Sequence, residues 1–268
     1  MKYLSTSLLI LLALGGSVAR GQKQSLTAAE IINQHLSAIG GKDVLMKLKS
    51  RVALGTVKKE NEAEGELAIF SELPNHVSAN YRFEKYDWKL RYDGAKAIFL
   101  PTLSRKLYVI TEKYQEMLAS GLMFNSITLS NLLTEAESTG IKFEAKGIKK
   151  LHGRSVYVVE VKRGKGEAMR LYFDAESFMW VRTDYGKATL SKQLGRFTND
   201  ITSHAEDETE IDFYIETSDF RVIDGVKLPF QFVQVVTYPI LQQKVVGTIT
   251  GTIKSYAHNV PIDAQSFQ

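Results

Sequence analysis

Residues 76–85 (HVSANYRFEK) alternate apolar and polar positions without a fault. Val77, Ala79, Tyr81 and Phe83 point one way; Ser78, Asn80, Arg82 and Glu84 point the other. A side-chain period of two belongs to an extended strand with one dry face and one wet face. The same period recurs at 51–58, 64–72, 88–93, 96–100, 105–111, 141–149, 155–163, 167–174, 178–185, 208–217, 226–236 and 245–256. Turn-forming residues separate these segments: Leu73-Pro74-Asn75, Asp93-Gly94, Gly164-Lys165-Gly166 and Asp224-Gly225. Strands in succession, joined by short turns, predict an antiparallel meander and leave no room for βαβ crossovers.

Two stretches depart from this period. Thr27-Ala28-Ala29-Glu30 has the form of a capping box, and Ile32, Leu36 and Ile39 follow at helical spacing. Gly40-Gly41 ends that helix, and a short helical piece over 43–49 is expected after it. Residues 113–139 read as helix, loop and helix, rich in Leu, Met, Ile and Phe between Met117 and Leu133. Two readings fit this second segment: a helical pair packed into the core, or a lid over a cavity in which Met117 and Met123 adapt to a variable ligand.

Before the first helix, Lys2 precedes an apolar run from Leu4 to Leu14, and Gly15-Gly16-Ser17-Val18-Ala19 supplies small residues. This is the pattern of a cleaved secretory signal over 1–21, shorter than the roughly 20 apolar residues a spanning helix needs. The chain has no cysteine, which excludes thiol catalysis, thiolate metal sites and attachment of lipid at an N-terminal cysteine. Residues 22–268 are expected to form a single domain: there are 5 prolines and no linker-like stretch. A net charge of +4, spread along the chain, gives none of the concentrated basic stripe that nucleic acid requires.

Catalytic constellations do not emerge. His35, His76, His152, His204 and His258 fall on different segments with no metal-ligand spacing, and each is read as structural or exposed. There is no G-x-S-x-G elbow, S-x-x-K or phosphate-binding loop. The acidic run 206–212 (EDETEID) lacks an EF-hand pattern; a solvated hairpin tip is expected, with weak Ca²⁺ binding as the alternative. No catalytic residue, cofactor or metal site is therefore expected.

Several short motifs occur in a familiar order: Gly65-Glu66-Leu67-Ala68-Ile69-Phe70, then Leu73-Pro74-Asn75, then Tyr92-Asp93-Gly94 running to Ile98-Phe99-Leu100-Pro101. Leu171-Tyr172-Phe173-Asp174-Ala175-Glu176-Ser177 and Asp219-Phe220-Arg221-Val222-Ile223-Asp224-Gly225-Val226-Lys227-Leu228-Pro229-Phe230 follow. Together they resemble the LolA/LolB-type outer-membrane lipoprotein-sorting superfamily over most of 26–268. The resemblance implies a mostly β (α+β) fold: a strongly curved antiparallel sheet, an unclosed half-barrel, covered by the N-terminal helix and a central helical lid. It implies a periplasmic, monomeric carrier that holds acyl chains of lipoproteins or lipids and meets inner- or outer-membrane envelope proteins. A sensor or scaffold of the same fold, binding a protein partner through its sheet, is the alternative. Two departures stand out. Leu73 occupies the position where the sorting carrier has a latching arginine, and the chain is longer near 186–207.

On this reading the cavity is lined by Ile32, Leu36 and Ile39 from the helix. Leu67, Ile69, Val77, Tyr81, Phe83, Leu90, Tyr92, Ile98 and Leu100 line it from the strands. Leu118, Leu122, Met123 and Phe124 of the lid close one end. Secreted protein should begin near Arg20 or Gln22, as read by N-terminal sequencing; an intact Met1 on membrane-bound protein would overturn the targeting assignment.

Overall fold

The computed structural model describes residues 26–73, 76–93, 97–101, 108–109, 140–163, 168–191, 208–240 and 243–267. The expected targeting segment, the expected lid with Leu118, Leu122, Met123 and Phe124, and His204 lie outside the described residues.

Helix α1 spans Ala28–Ala38. Its N-cap is Thr27, whose hydroxyl accepts from the Glu30 N–H at 3.2 Å while Glu30 accepts from the Thr27 N–H at 2.7 Å. At the other end the Gly41 N–H donates to the Leu36 carbonyl at 2.8 Å and the Gly40 N–H to the Ser37 carbonyl at 3.3 Å. That pair of bonds is a Schellman closure, and Gly40 takes the positive φ it needs. The short helix expected over 43–49 contracts to α2, Lys42–Leu45.

Thirteen strands follow: β1 Ser50–Lys59, β2 Gly65–Glu72, β3 His76–Arg82, β4 Asp87–Asp93, β5 Ala97–Pro101, β6 Tyr108–Val109, β7 Ile141–Leu151, β8 Arg154–Arg163, β9 Met169–Asp174, β10 Trp180–Ser191, β11 Glu208–Ile223, β12 Val226–Ile240 and β13 Gln243–His258. All pair antiparallel in one sheet, in the order β6-β5-β4-β3-β2-β1-β13-β12-β11-β10-β9-β8-β7. This is the order of an up-and-down barrel opened between β6 and β7. The meander read from the sequence is therefore broken once, and its first and last strands are neighbours, with Arg51 opposite His258.

Several strands run longer than the sequence indicates, β11 among them, which continues past Asp219 to Ile223 in unbroken register with β12 although Asp219 has φ 52°. The acidic run is corrected as well. Glu208, Glu210 and Asp212 belong to β11, opposite Ser191, Thr189 and Lys187, instead of forming a hairpin tip.

Two apolar clusters line the inner face. One joins β1–β4 to β10–β13 through Leu67, Ile69, Ala79, Tyr81, Phe83, Phe213, Ile215 and Phe232. The other packs α1 and α2 against β7–β9 through Ile31, Ile32, Leu36, Val159, Leu171 and Phe173. The sheet must curl to do this. Ile69 on β2 and Thr183 on β10 border the same pocket, although β1, β13, β12 and β11 lie between them in the sheet. At about 4.8 Å per strand a flat sheet would hold them more than ~20 Å apart.

Gly251 permits one close contact in that curl, because a Cβ there would overlap the buried Phe232 ring. Gly251→Ala should destabilise the protein by about 1–3 kcal/mol in urea unfolding. Combining it with Phe232→Leu should recover part of that loss; full additivity would refute the contact as the cause.

Candidate functional site

The inner face forms a partly open pocket of about 60 Å³ beneath the C-terminal half of α1. Its apolar wall comes from Ile39, Ala53, Ile69, Ile215, Leu228, Phe232 and Ile253, and its polar groups from His35, Arg51, Arg182, Thr183, Thr217, Lys227 and Tyr256. Two larger hollows, of about 360 Å³ over β1–β4 and 450 Å³ beside the β7–β8 and β9–β10 turns, are open depressions bordered by charged side chains.

Two turns hold α1 over the cavity. The β9–β10 turn is tied by Asp174, whose Oδ1 accepts from the Ser177 N–H at 2.8 Å and the Ser177 hydroxyl at 2.7 Å. This sets Phe178 at φ 54°, and its carbonyl accepts from His35 Nδ1 at 2.9 Å. The β11–β12 turn, Asp224-Gly225, has positive φ at both residues, the requirement of a tight primed hairpin. There the Lys227 N–H donates to the Ile39 carbonyl at 2.8 Å, and Gly40 sits so close that a Cβ would strike the Gly225 carbonyl.

His35 is buried beside Phe173 and Trp180, with ring centroids at 5.3 and 6.2 Å. Burial pulls its pKa down to about 4, against the opposing pull of the Phe178 carbonyl. The imidazole is therefore neutral at pH 7, with its proton on Nδ1, since a carbonyl only accepts. Arg51 is buried on the inner row of β1, 5.7 Å from the Tyr256 ring centre. Burial lowers its pKa while Tyr256 opposes the shift, and the guanidinium stays charged. Burial likewise raises the Tyr81 and Tyr256 phenols.

Among the sequence-named cavity residues, Ile39 and Ile69 border the space. Ile32 and Leu36 are buried in the cluster against β7–β9. Leu67, Val77, Tyr81, Phe83 and Tyr92 are buried core, and Leu90 packs partly buried beside them. Phe83 helps build an aromatic group, 4.8 Å from Tyr86 and 5.4 Å from Trp88 between ring centroids. Ile98 and Leu100 lie on β5, where Ile98 pairs with Arg91 and Leu100 with Lys89. Leu73, where the sorting carrier has arginine, packs against the α1–α2 cluster.

Sequence reasoning read His35 as structural or exposed and did not single out Arg51, though both carried a signal of an inward position. His35 is four residues after Ile31 on the buried side of α1, and Arg51 shares parity with Ala53 and Val57. The densest polar cluster lies elsewhere. Arg182 rests 3.7 Å from the Tyr214 ring centre and pairs with Glu216 at 3.0 Å and Asp184 at 3.3 Å, and His152 reaches Glu216 at 3.0 Å. These residues clasp β9, β10 and β11 together, and Arg182 also borders the pocket beneath α1. Among the described residues, no three His, Asp or Glu side chains are grouped to hold a metal ion, and no helix is long and apolar enough to cross a membrane.

No family model matches this chain, and no curated protein does. Solved structures do. A DUF1329 family protein from Desulfovibrio piger is 9% identical, with 90% of this chain and 97% of that one covered and a TM-score of 0.49. A LolA superfamily protein from Nitrosomonas europaea is 8% identical, with 91% and 98% covered and a TM-score of 0.48. MucB in complex with MucA matches at 9% identity over 86% of this chain and 99% of that one, with a TM-score of 0.19. The open, curled antiparallel sheet with few helices is the architecture that the motifs implied.

Neutral His35 makes stability depend on pH. Its pKa is near 6.5 unfolded and about 4 folded, so the unfolded chain binds the extra proton as pH falls through this window. The stabilisation is complete above pH ~6.5 and is lost progressively toward pH ~4. Unfolding free energy should drop by about 2 kcal/mol between pH 7 and pH 5 on this account, and the drop should flatten in His35→Gln. An unchanged slope in that variant would remove His35 as the cause.

Proposed function

We propose that this protein is an envelope binding protein for a hydrophobic ligand, an acyl chain of a lipid or lipoprotein, held between α1 and the curled sheet. The observation that carries the reading is the apolar pocket beneath α1, walled by Ile39, Ala53, Ile69, Ile215, Phe232 and Ile253. At about 60 Å³ it is well below the ~300–1,000 Å³ of ligand pockets, so the ligand-holding form is a wider one.

Such a widening has an energetic source. Each methylene buried contributes about 0.8 kcal/mol, and a long chain offers many of them against the cost of ordering it. The opening between β6 and β7 leaves the sheet free to adjust its curl, which a closed barrel would resist. In this reading the chain acts in the periplasm as a single carrier domain, after removal of the segment 1–21, and passes its cargo toward the outer membrane. It holds the ligand without transforming it.

The test is direct. Organic extracts of natively purified protein should yield lipid by mass spectrometry, and the delipidated protein should take up a fluorescent fatty acid. Ala53→Val adds two methyl groups into the cavity wall. Its melting temperature should hold or rise, while probe affinity should fall about tenfold or more. No lipid in the extract together with no probe uptake by the parent protein would sink the reading.

A further inference from the structure

Strand β7 forms one edge of the sheet, paired only with β8 among the described residues. Its sequence, IKFEAKGIKKL, carries Lys142, Lys146, Lys149 and Lys150 against a single acid, Glu144. That acid is already engaged, because Lys146 bridges Glu144 at 2.8 Å and Glu160 at 3.2 Å. Lys162 and Arg170 complete the neutralisation of Glu160 at 3.1 and 3.4 Å. Lys142 and Lys149 have no acidic partner among the described residues, and the Lys150 ammonium donates only to the Ser155 hydroxyl at 3.0 Å and the Gly153 carbonyl at 3.5 Å. The edge therefore presents exposed, uncompensated cations on both sides: by register Lys142 and Lys149 share one face, and Lys150 stands with Ile148 on the other.

An apolar side chain sits among them. The register shifts between Ala145 and Ile148, around Gly147 at φ 79°, and Ile148 is left 58% exposed beside Lys149 and Lys150. Bulges at sheet edges re-aim side chains in this way. Lysines alone would be a sufficient guard against edge-to-edge pairing, but an exposed isoleucine on the same edge works against that role. Cations flanking an exposed apolar residue suit a surface that offers negative charge and a hydrocarbon layer just beneath it.

We infer that the β7 edge docks onto the anionic headgroups of a phospholipid bilayer, with Lys142, Lys149 and Lys150 meeting the charge and Ile148 entering the interface. The inference goes beyond the acyl-ligand reading and does not depend on it. It is tested on vesicles with no ligand in the cavity, so either can fail alone. Each lysine near an anionic surface strengthens binding by roughly fivefold, and three together by about 100-fold.

The mature protein is sedimented with vesicles of mixed phosphatidylglycerol and phosphatidylcholine, and with vesicles of phosphatidylcholine alone. Binding is expected to the first only, and it should weaken as salt rises. Lys142→Gln/Lys149→Gln/Lys150→Gln should lower the partition coefficient by about 100-fold. Lys58→Gln/Lys85→Gln/Lys254→Gln changes the net charge equally at exposed sites outside β7 and should leave binding nearly intact. Ile148→Ser should weaken the binding that remains at high salt. Circular dichroism confirms that each variant is folded. Sedimentation with neither vesicle, or equal loss in both triple variants, overturns the proposal; an unaltered Ile148→Ser removes the apolar contact from it.

Discussion

The seating of α1 is the interaction on which the rest of the interior depends. A helix of 11 residues cannot bury its apolar stripe alone, and most of its stability comes from what it packs on. Here the chain fixes both its angle and its depth. The Phe178 carbonyl accepts from His35 Nδ1 at one turn, and the Lys227 N–H donates to the Ile39 carbonyl at another. With those two bonds made, Ile31, Ile32 and Leu36 fall onto β7–β9, and Ile39 and His35 come to rest over the cavity. The motif residues Asp174 and Asp224-Gly225 thus act through backbone geometry: they shape the turns that grip the helix.

The opening between β6 and β7 follows from the strand order and has consequences in both directions. Because β1 pairs with β13, the ends of the chain's β region close the middle of the sheet and leave its interior strands as edges. An unclosed sheet can vary its curl, and the aromatic and branched side chains on its inner face are held by the curl adopted here. Arg51 is the unusual member of that inner face. A buried guanidinium carries a large desolvation cost, and contact with the Tyr256 ring offsets part of it.

Strand existence was legible because each segment carries its own period, independent of its neighbours. The capping box at Thr27 and Glu30 and the Gly40-Gly41 stop were equally local, and both sit where the sequence places them. Register across a turn is not local, since one residue of difference moves every side chain of the next strand to the other face.

Sequence by itself determined where α1 begins and ends, that Asp224-Gly225 is a tight turn, and that strands follow one another along the described residues. All of these are settled by bonds and steric limits spanning a few residues. Only the tertiary structure decided that β1 lies beside β13 and that α1 rests on the turns at Phe178 and Asp224-Gly225. Those pairings join residues more than a hundred positions apart. They are chosen by the common burial of side chains whose local patterns fit several arrangements equally well, and the free energy that separates those arrangements exists only once the sheet has curled.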